Sequence, residues 1–161
     1  VHISYLQTAE ALQLIEQPVK DFTLLYEKTA SQRVLEITRC HPALTQLMCA
    51  EIVSLKNKQD INERRIATVN DVEAAVSGAL QCGRFFFADI SNNQVSKNGL
   101  AILNNLAAQG EGKVISFEII QEKFPDESAI TNLLQRELIE STETGYRFQI
   151  ELIRRWFVLS K

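Results

Sequence analysis

The stretch from Leu138 to Ile150 constrains the fold of this 161-residue chain more than any other. Tyr146-Arg147-Phe148-Gln149-Ile150 alternates apolar and polar side chains, the period of a strand with one buried face, and Leu138-Ile139-Glu140-Ser141-Thr142 reads as its partner strand. Glu143-Thr144-Gly145 lies between them and can supply the left-handed residue of a hairpin turn. Upstream, Leu100 to Ala107 reads as an amphipathic helix ended by Gly110-Glu111-Gly112, and Val114-Ile115-Ser116 as a short strand. Ser116 can cap a helix through Phe117, Ile120, Gln121 and Phe124 that breaks at Pro125. Ser128 opens the next helix, with Ile130, Leu133, Leu134 and Leu138 inward. Leu152, Ile153, Trp156, Phe157 and Leu159 form a last helix that packs back on the core.

Helix, strand, helix, helix, hairpin is the order of a winged helix-turn-helix, with the hairpin as its wing. The turn-forming cluster Ser91-Asn92-Asn93 marks the boundary before it, which predicts two domains, 1–91 and 92–161. The first reads as a mainly helical bundle. Thr8 precedes a capped helix, Ala9 to Glu16, stopped by Pro18, and Ser31 can cap a second through Ile37. Pro42 suits the first turn of a third, because its missing N–H would lack a partner there in any case, and Leu44, Leu47, Met48, Ile52 and Leu55 follow at helical spacing. Lys56 to Arg65 is polar without period and reads as a surface loop, and Ile66 to Val69 as a short extended piece. Asn70 caps Asp71 to Val76 in a helix that fades near Gly83, and Arg84 to Ile90, with Phe85, Phe86 and Phe87, reads as a helical connection between the halves.

Several function classes are excluded at this level. Apolar residues make up 45% and charged residues 23%, the balance of a chain that folds on its own core. No run approaches the roughly 20 apolar residues that span a bilayer, and Val1 to Leu6 lack a secretory pattern, so a cytoplasmic protein with no membrane contact is expected. The first residue is Val, and the chain enters at once on the extended apolar segment His2 to Leu6, which suggests a start cut from something longer. Cys40, Cys49 and Cys82 form no CxxC pair and only two histidines exist, so no disulfide framework or zinc site is expected. There is no GxxxxGK phosphate loop, GxGxxG or GxSxG, and paired acids such as Asp71 and Glu73 read as solvated helix faces. The chain is not expected to be an enzyme by itself, nor to hold a cofactor alone.

One constellation stands apart: Thr38-Arg39-Cys40-His41-Pro42-Ala43-Leu44-Thr45-Gln46. His41 sits at a helix start, where exposed N–H groups and the helix dipole attract anions or polar ligand groups, and where a histidine is more often a local cap or a satisfied surface group. The segment resembles the Thr-Gly-Gly-His-Pro-x-Leu-x-Gln signature in the helical lid of P-loop ATPases of the AAA+ and STAND classes, particularly the archaeal and cyanobacterial branch related to origin-recognition ATPases. Leu6 to Val19 is similar to that family's lead-in. Thr45 to Val53 resembles its Leu-Leu-Gln-x-x-Cys helix, with Gln46 and Cys49 in place. Gly145-Tyr146-Arg147-Phe148 followed by Leu152-Ile153-Arg154-Arg155-Trp156 resembles its closing wing and helix.

The resemblance implies a lid-like first domain whose turn lies over the adenine and ribose of ATP or ADP held mainly by an upstream P-loop domain of the same chain. It places His41 and Pro42 on the base side of that nucleotide. Arg39 and Cys40 stand where the signature has glycines, so contact through Arg39 would be to a phosphate. Lid and winged helix would move together on nucleotide exchange, with protein partners and possible homo-oligomers as the readout. The runner-up is a DNA-binding winged-helix module of a transcription regulator, using Arg136 on its recognition helix and Arg147 on its wing; a third reading is an adaptor without nucleotide. DNA readers gain most of their affinity from phosphate neutralisation, yet residues 92–161 hold eight basic side chains against nine acidic ones. Protein contact is therefore the better expectation for the winged helix.

Overall fold

The computed structural model describes residues 4–160, so Val1, His2 and Ile3 of the apolar entry lie outside the described residues. The chain is mainly helical, 63% by residue, with a three-stranded antiparallel sheet and a short parallel strand pair. It divides into two compact units, the first ending at Gly83 and the second beginning at Arg84. That division falls ahead of Ser91-Asn92-Asn93 because Phe87 is fully buried and stacks on Trp156 at 5.6 Å, which ties the Phe-rich segment to the second unit.

The first unit contains α1 (Thr8–Glu16), β1 (Leu25–Tyr26), α2 (Lys28–Thr38), α3 (Pro42–Asn57), β2 (Ile66–Ala67) and α4 (Val69–Cys82). Its helices follow the apolar periodicity: Ala11 and Ile15 of α1, Val34 and Ile37 of α2, Leu44, Met48 and Ile52 of α3, and Val72 and Ala79 of α4 are buried together. Their starts differ from expectation. Gln7, not Thr8, precedes α1, and its N–H donates to the Glu10 carboxylate at 2.9 Å. Ser31 lies inside α2 and donates its hydroxyl to Glu16 of α1 at 2.7 Å, because the helix starts three residues earlier, at Lys28. Thr68, not Asn70, caps α4, closing a capping box with Asp71. The parallel pair joins Leu25 to Ile66 and Tyr26 to Ala67 across the intervening helices.

The second unit contains α5 (Arg84–Asp89), a π-helical turn (Ile90–Gln94), α6 (Lys97–Gln109), β3 (Ile115–Ser116), α7 (Phe117–Lys123), α8 (Glu127–Gln135), β4 (Ile139–Ser141), β5 (Gly145–Phe148) and α9 (Glu151–Leu159). The strand order is β3-β5-β4, all antiparallel, and from α6 onward the element order is that of a winged helix-turn-helix. Ser96, Ser116 and Asp126 cap α6, α7 and α8; Asp126 rather than Ser128 takes the last position, accepting from both the Ser128 and Ala129 amides. Ile102, Leu103, Leu106, Leu133, Leu152 and Phe157 form the core, whereas Leu159 is exposed at the fraying end of α9.

Gly145 departs from its expected role. It carries no left-handed φ; it is the first residue of β5, opposite Ser116, and a Cβ there would collide with the backbone of Ile115. The glycine is needed for close approach of β3, and the turn is tied instead by Thr142, whose N–H donates to the Gly145 carbonyl at 2.7 Å and whose hydroxyl accepts from the Gly145 N–H at 3.1 Å. Among the described residues no helix is long and apolar enough to cross a membrane.

Candidate functional site

The Thr38-to-Pro42 segment joins α2 to α3 in one tight turn. α2 ends at Thr38, its C-cap Arg39 stands at φ 54°, Cys40 follows at φ 59°, and the backbone turns into α3 at Pro42. Two consecutive non-glycine residues in the left-handed region are costly, by about 1 kcal/mol each, so the surroundings must hold them. They do so from both sides. The Arg39 N–H donates to Leu35 O at 2.8 Å and the His41 N–H to Thr38 O at 3.0 Å, while the Leu6 N–H donates to Cys40 O at 3.0 Å. Beneath the turn the buried Thr38 hydroxyl donates to Val34 O and lies 3.1 Å from the Thr45 hydroxyl, pinning the end of α2 to the start of α3.

His41 is buried and caps α3: its Nδ1 accepts the Leu44 N–H at 3.3 Å, which leaves the ring proton on Nε2. Tyr5 meets the ring edge-on with centroids 6.0 Å apart. Pro42 is half-buried at the first helical position, and Arg39 is exposed at the tip of the turn. Burial raises the Cys40 thiol, only partly offset by the Arg39 charge, so the thiol is a neutral wall of the turn. The structure thus brings Arg39, His41 and Pro42 together, with the histidine ring turned inward as a cap and the arginine outward.

The two candidate DNA-contacting residues stand differently. Arg147 is paired across the hairpin with Glu140 at 2.8 Å, where the register sets the two directly opposite. Arg136 is exposed at the end of α8, close enough to Asp89 to lower that carboxyl, which is held down first by Asn93 and Gln94. Arg154 and Arg155 both close on Glu151, at 2.8 and 2.9 Å, and Arg154 also donates to Ala107 O at 2.9 Å. Three arginines of this unit, Arg147, Arg154 and Arg155, are thus held in internal ion pairs.

The sequence reading missed a polar centre in the first unit. Lys56 was expected in a surface loop, but α3 continues through it, and its ammonium is buried 2.9 Å from Asp71. Burial alone would raise the Asp71 carboxyl, but hydrogen bonds from Gln59, Thr68 and Lys56 outweigh it and hold the group at about 2. The Thr68-x-x-Asp71 spacing of a capping box was the available signal for Asp71; Lys56, in a polar run, carried none. Among the described residues no cluster of three or more His, Cys, Asp or Glu could hold a metal ion. No family model matches the sequence, and no curated protein matches it significantly.

Proposed function

We propose that this chain is the helical lid and winged-helix region of a cytoplasmic P-loop ATPase of the AAA+/STAND type. In this reading an upstream domain of the same protein binds and hydrolyses ATP, and the bound nucleotide sets the position of the winged helix and its protein contacts. The observation that carries the proposal is the backbone at Arg39 and Cys40. Both residues adopt the left-handed conformation that favours glycine, at the two positions where the lid signature Thr-Gly-Gly-His-Pro has Gly-Gly, and the signature's His and Pro follow as cap and first residue of α3. A turn that keeps a glycine conformation with an arginine and a cysteine preserves the shape of the signature while changing its surface.

The chemistry of such a turn is recognition rather than catalysis. Pro42, half-exposed and rigid, offers an apolar edge to a base, and Arg39, exposed at the tip, offers a planar fork suited to phosphate. His41 holds the geometry through its cap. For the winged helix, protein contact is favoured over DNA because Arg147, Arg154 and Arg155 are engaged by Glu140 and Glu151.

The test is made on the intact gene product, whose upstream coding sequence should contain a GxxxxGK followed by Ser or Thr. In calorimetry, Pro42→Ala is expected to weaken ADP binding about fivefold, roughly 1 kcal/mol, without loss of fold. Equal ADP affinity in parent and variant would sink the lid role of this turn, and an upstream region without a phosphate loop would remove the ATPase reading altogether.

A further inference from the structure

The first unit carries a second surface feature, away from any residue used above for nucleotide. A groove of about 620 Å³ runs between the segment leading into β1, the end of α3 and the loop before β2. Its walls are Phe22, Leu24, Leu25, Val53 and Ile61, and two of these are largely in water: Leu25 is 64% and Ile61 60% exposed. Leu25 and Ile61 thus leave apolar surface open to water within a single groove.

The charge of the groove is one-sided. Arg64 and Arg65 line it, and among the described residues no carboxylate does. Lys56, the other basic lining residue, is already neutralised by Asp71. Among the described residues neither the Arg64 nor the Arg65 guanidinium has an ion-pair or hydrogen-bond partner, although the Arg65 carbonyl accepts from the Leu25 N–H at 2.9 Å and so fixes that residue beside the groove. This contrasts with the basic residues Arg33, Arg147, Arg154 and Arg155, each closed on an acid, in a chain whose net charge is −3. Two unpaired guanidiniums lining the same groove as these apolar side chains are complementary to carboxylates interleaved with apolar side chains.

We infer that this groove is a docking site for an extended protein segment carrying Glu or Asp beside large apolar residues. The carboxylates would pair with Arg64 and Arg65 in the two-pronged geometry that guanidinium favours, and the apolar side chains would cover Leu25 and Ile61. The site does not depend on nucleotide and stands or falls separately from the lid reading.

The experiment uses the full 161-residue chain and a fluorescein-labelled probe peptide, Glu-Leu-Glu-Phe-Glu-Leu-Glu, followed by fluorescence anisotropy. The expected results are saturable binding that weakens with added salt, and at least a tenfold loss in the double variant Arg64→Glu/Arg65→Glu, which should instead bind the counterpart peptide with Lys at each Glu. Ile61→Ser, at an exposed position, should weaken the acidic peptide without changing thermal melting. Undiminished affinity in the charge-reversed variant, or equal binding of both peptides by the parent, would overturn the proposal. So would tight binding of the parent to phosphatidylglycerol vesicles that is lost in the same variant while the peptide does not bind, since the groove would then serve an anionic lipid surface.

Discussion

The two units solve their tightest connections by opposite uses of glycine. In the first, Arg39 and Cys40 adopt the backbone conformation that favours glycine, yet neither is one. In the second, Gly145 has an ordinary extended backbone and is required because β3 leaves no room for a Cβ. The first turn is held by polar groups around it, through the Thr38 and Thr45 hydroxyls, the His41 cap and the Leu6 to Cys40 hydrogen bond. The wing is held by contact: the Gly145 backbone against β3, and Phe117 edge-on to Tyr146 at 4.9 Å. A conformational demand can be met by neighbours that outweigh it, whereas a demand for empty space cannot be met by any other residue.

That contrast can be broken most directly at the wing. Gly145→Ala is expected to destabilise the second unit by about 3 kcal/mol, in the upper range of overpacking substitutions, because the obstacle is backbone and not a flexible side-chain end. Urea denaturation followed by Trp156 fluorescence reads this, and a loss under about 1 kcal/mol would mean that β3 moves aside and the space is not essential.

A smaller effect tests whether the first unit depends on polar pairing as argued. Asp71→Asn leaves the Lys56 ammonium buried beside a neutral group and should cost about 2 kcal/mol. The pH dependence supplies a second reading. Because the Asp71 carboxyl is held at about 2, below its usual 3.8, its contribution is complete above pH 4 and is lost as pH falls from there towards 2. The parent should lose more stability than the Asn variant across that window in thermal melts, and parallel curves would remove Asp71 from the account.

The smallest effect sharpens the comparison at the lid-like turn. Arg39→Gly relieves a left-handed residue of about 1–2 kcal/mol but makes the unfolded chain freer by nearly as much, leaving a net gain of about 0.5 kcal/mol. The same substitution at Gly145's counterpart role is impossible, since nothing smaller exists. A loss of stability in Arg39→Gly, read as a lower urea midpoint, would show that the arginine side chain itself holds the turn.

How legible this was depended on how local the physics is. The run Leu44, Met48, Ile52 announced α3 and its buried face, and Pro42 announced its first residue. The alternation in Tyr146 to Ile150 announced β5, and the position of Ser116 its capping role, whereas β4 begins on the adjacent buried pair Leu138 and Ile139. Helix starts were less legible where several polar residues compete: Thr8, Asn70 and Ser128 were all plausible caps, and Gln7, Thr68 and Asp126 took the positions instead. At the candidate site the residues Arg39, His41 and Pro42 were visible, but not that the first and Cys40 are left-handed or that the imidazole turns inward.

The sequence by itself determined the mainly helical class, the hairpin that closes the second unit and the single histidine-proline turn between α2 and α3, because periodicity and turn chemistry act over a few residues. Only the tertiary structure decided the rest. It paired the two-residue strands β1 and β2, drew Lys56 into the interior against Asp71, assigned Gly145 to making room for β3, and, among the described residues, left Arg64 and Arg65 without acids beside an open apolar groove. Each of these outcomes depends on residues distant in the chain, and the energies of burial and ion pairing that select them are set by what those distant residues bring into contact.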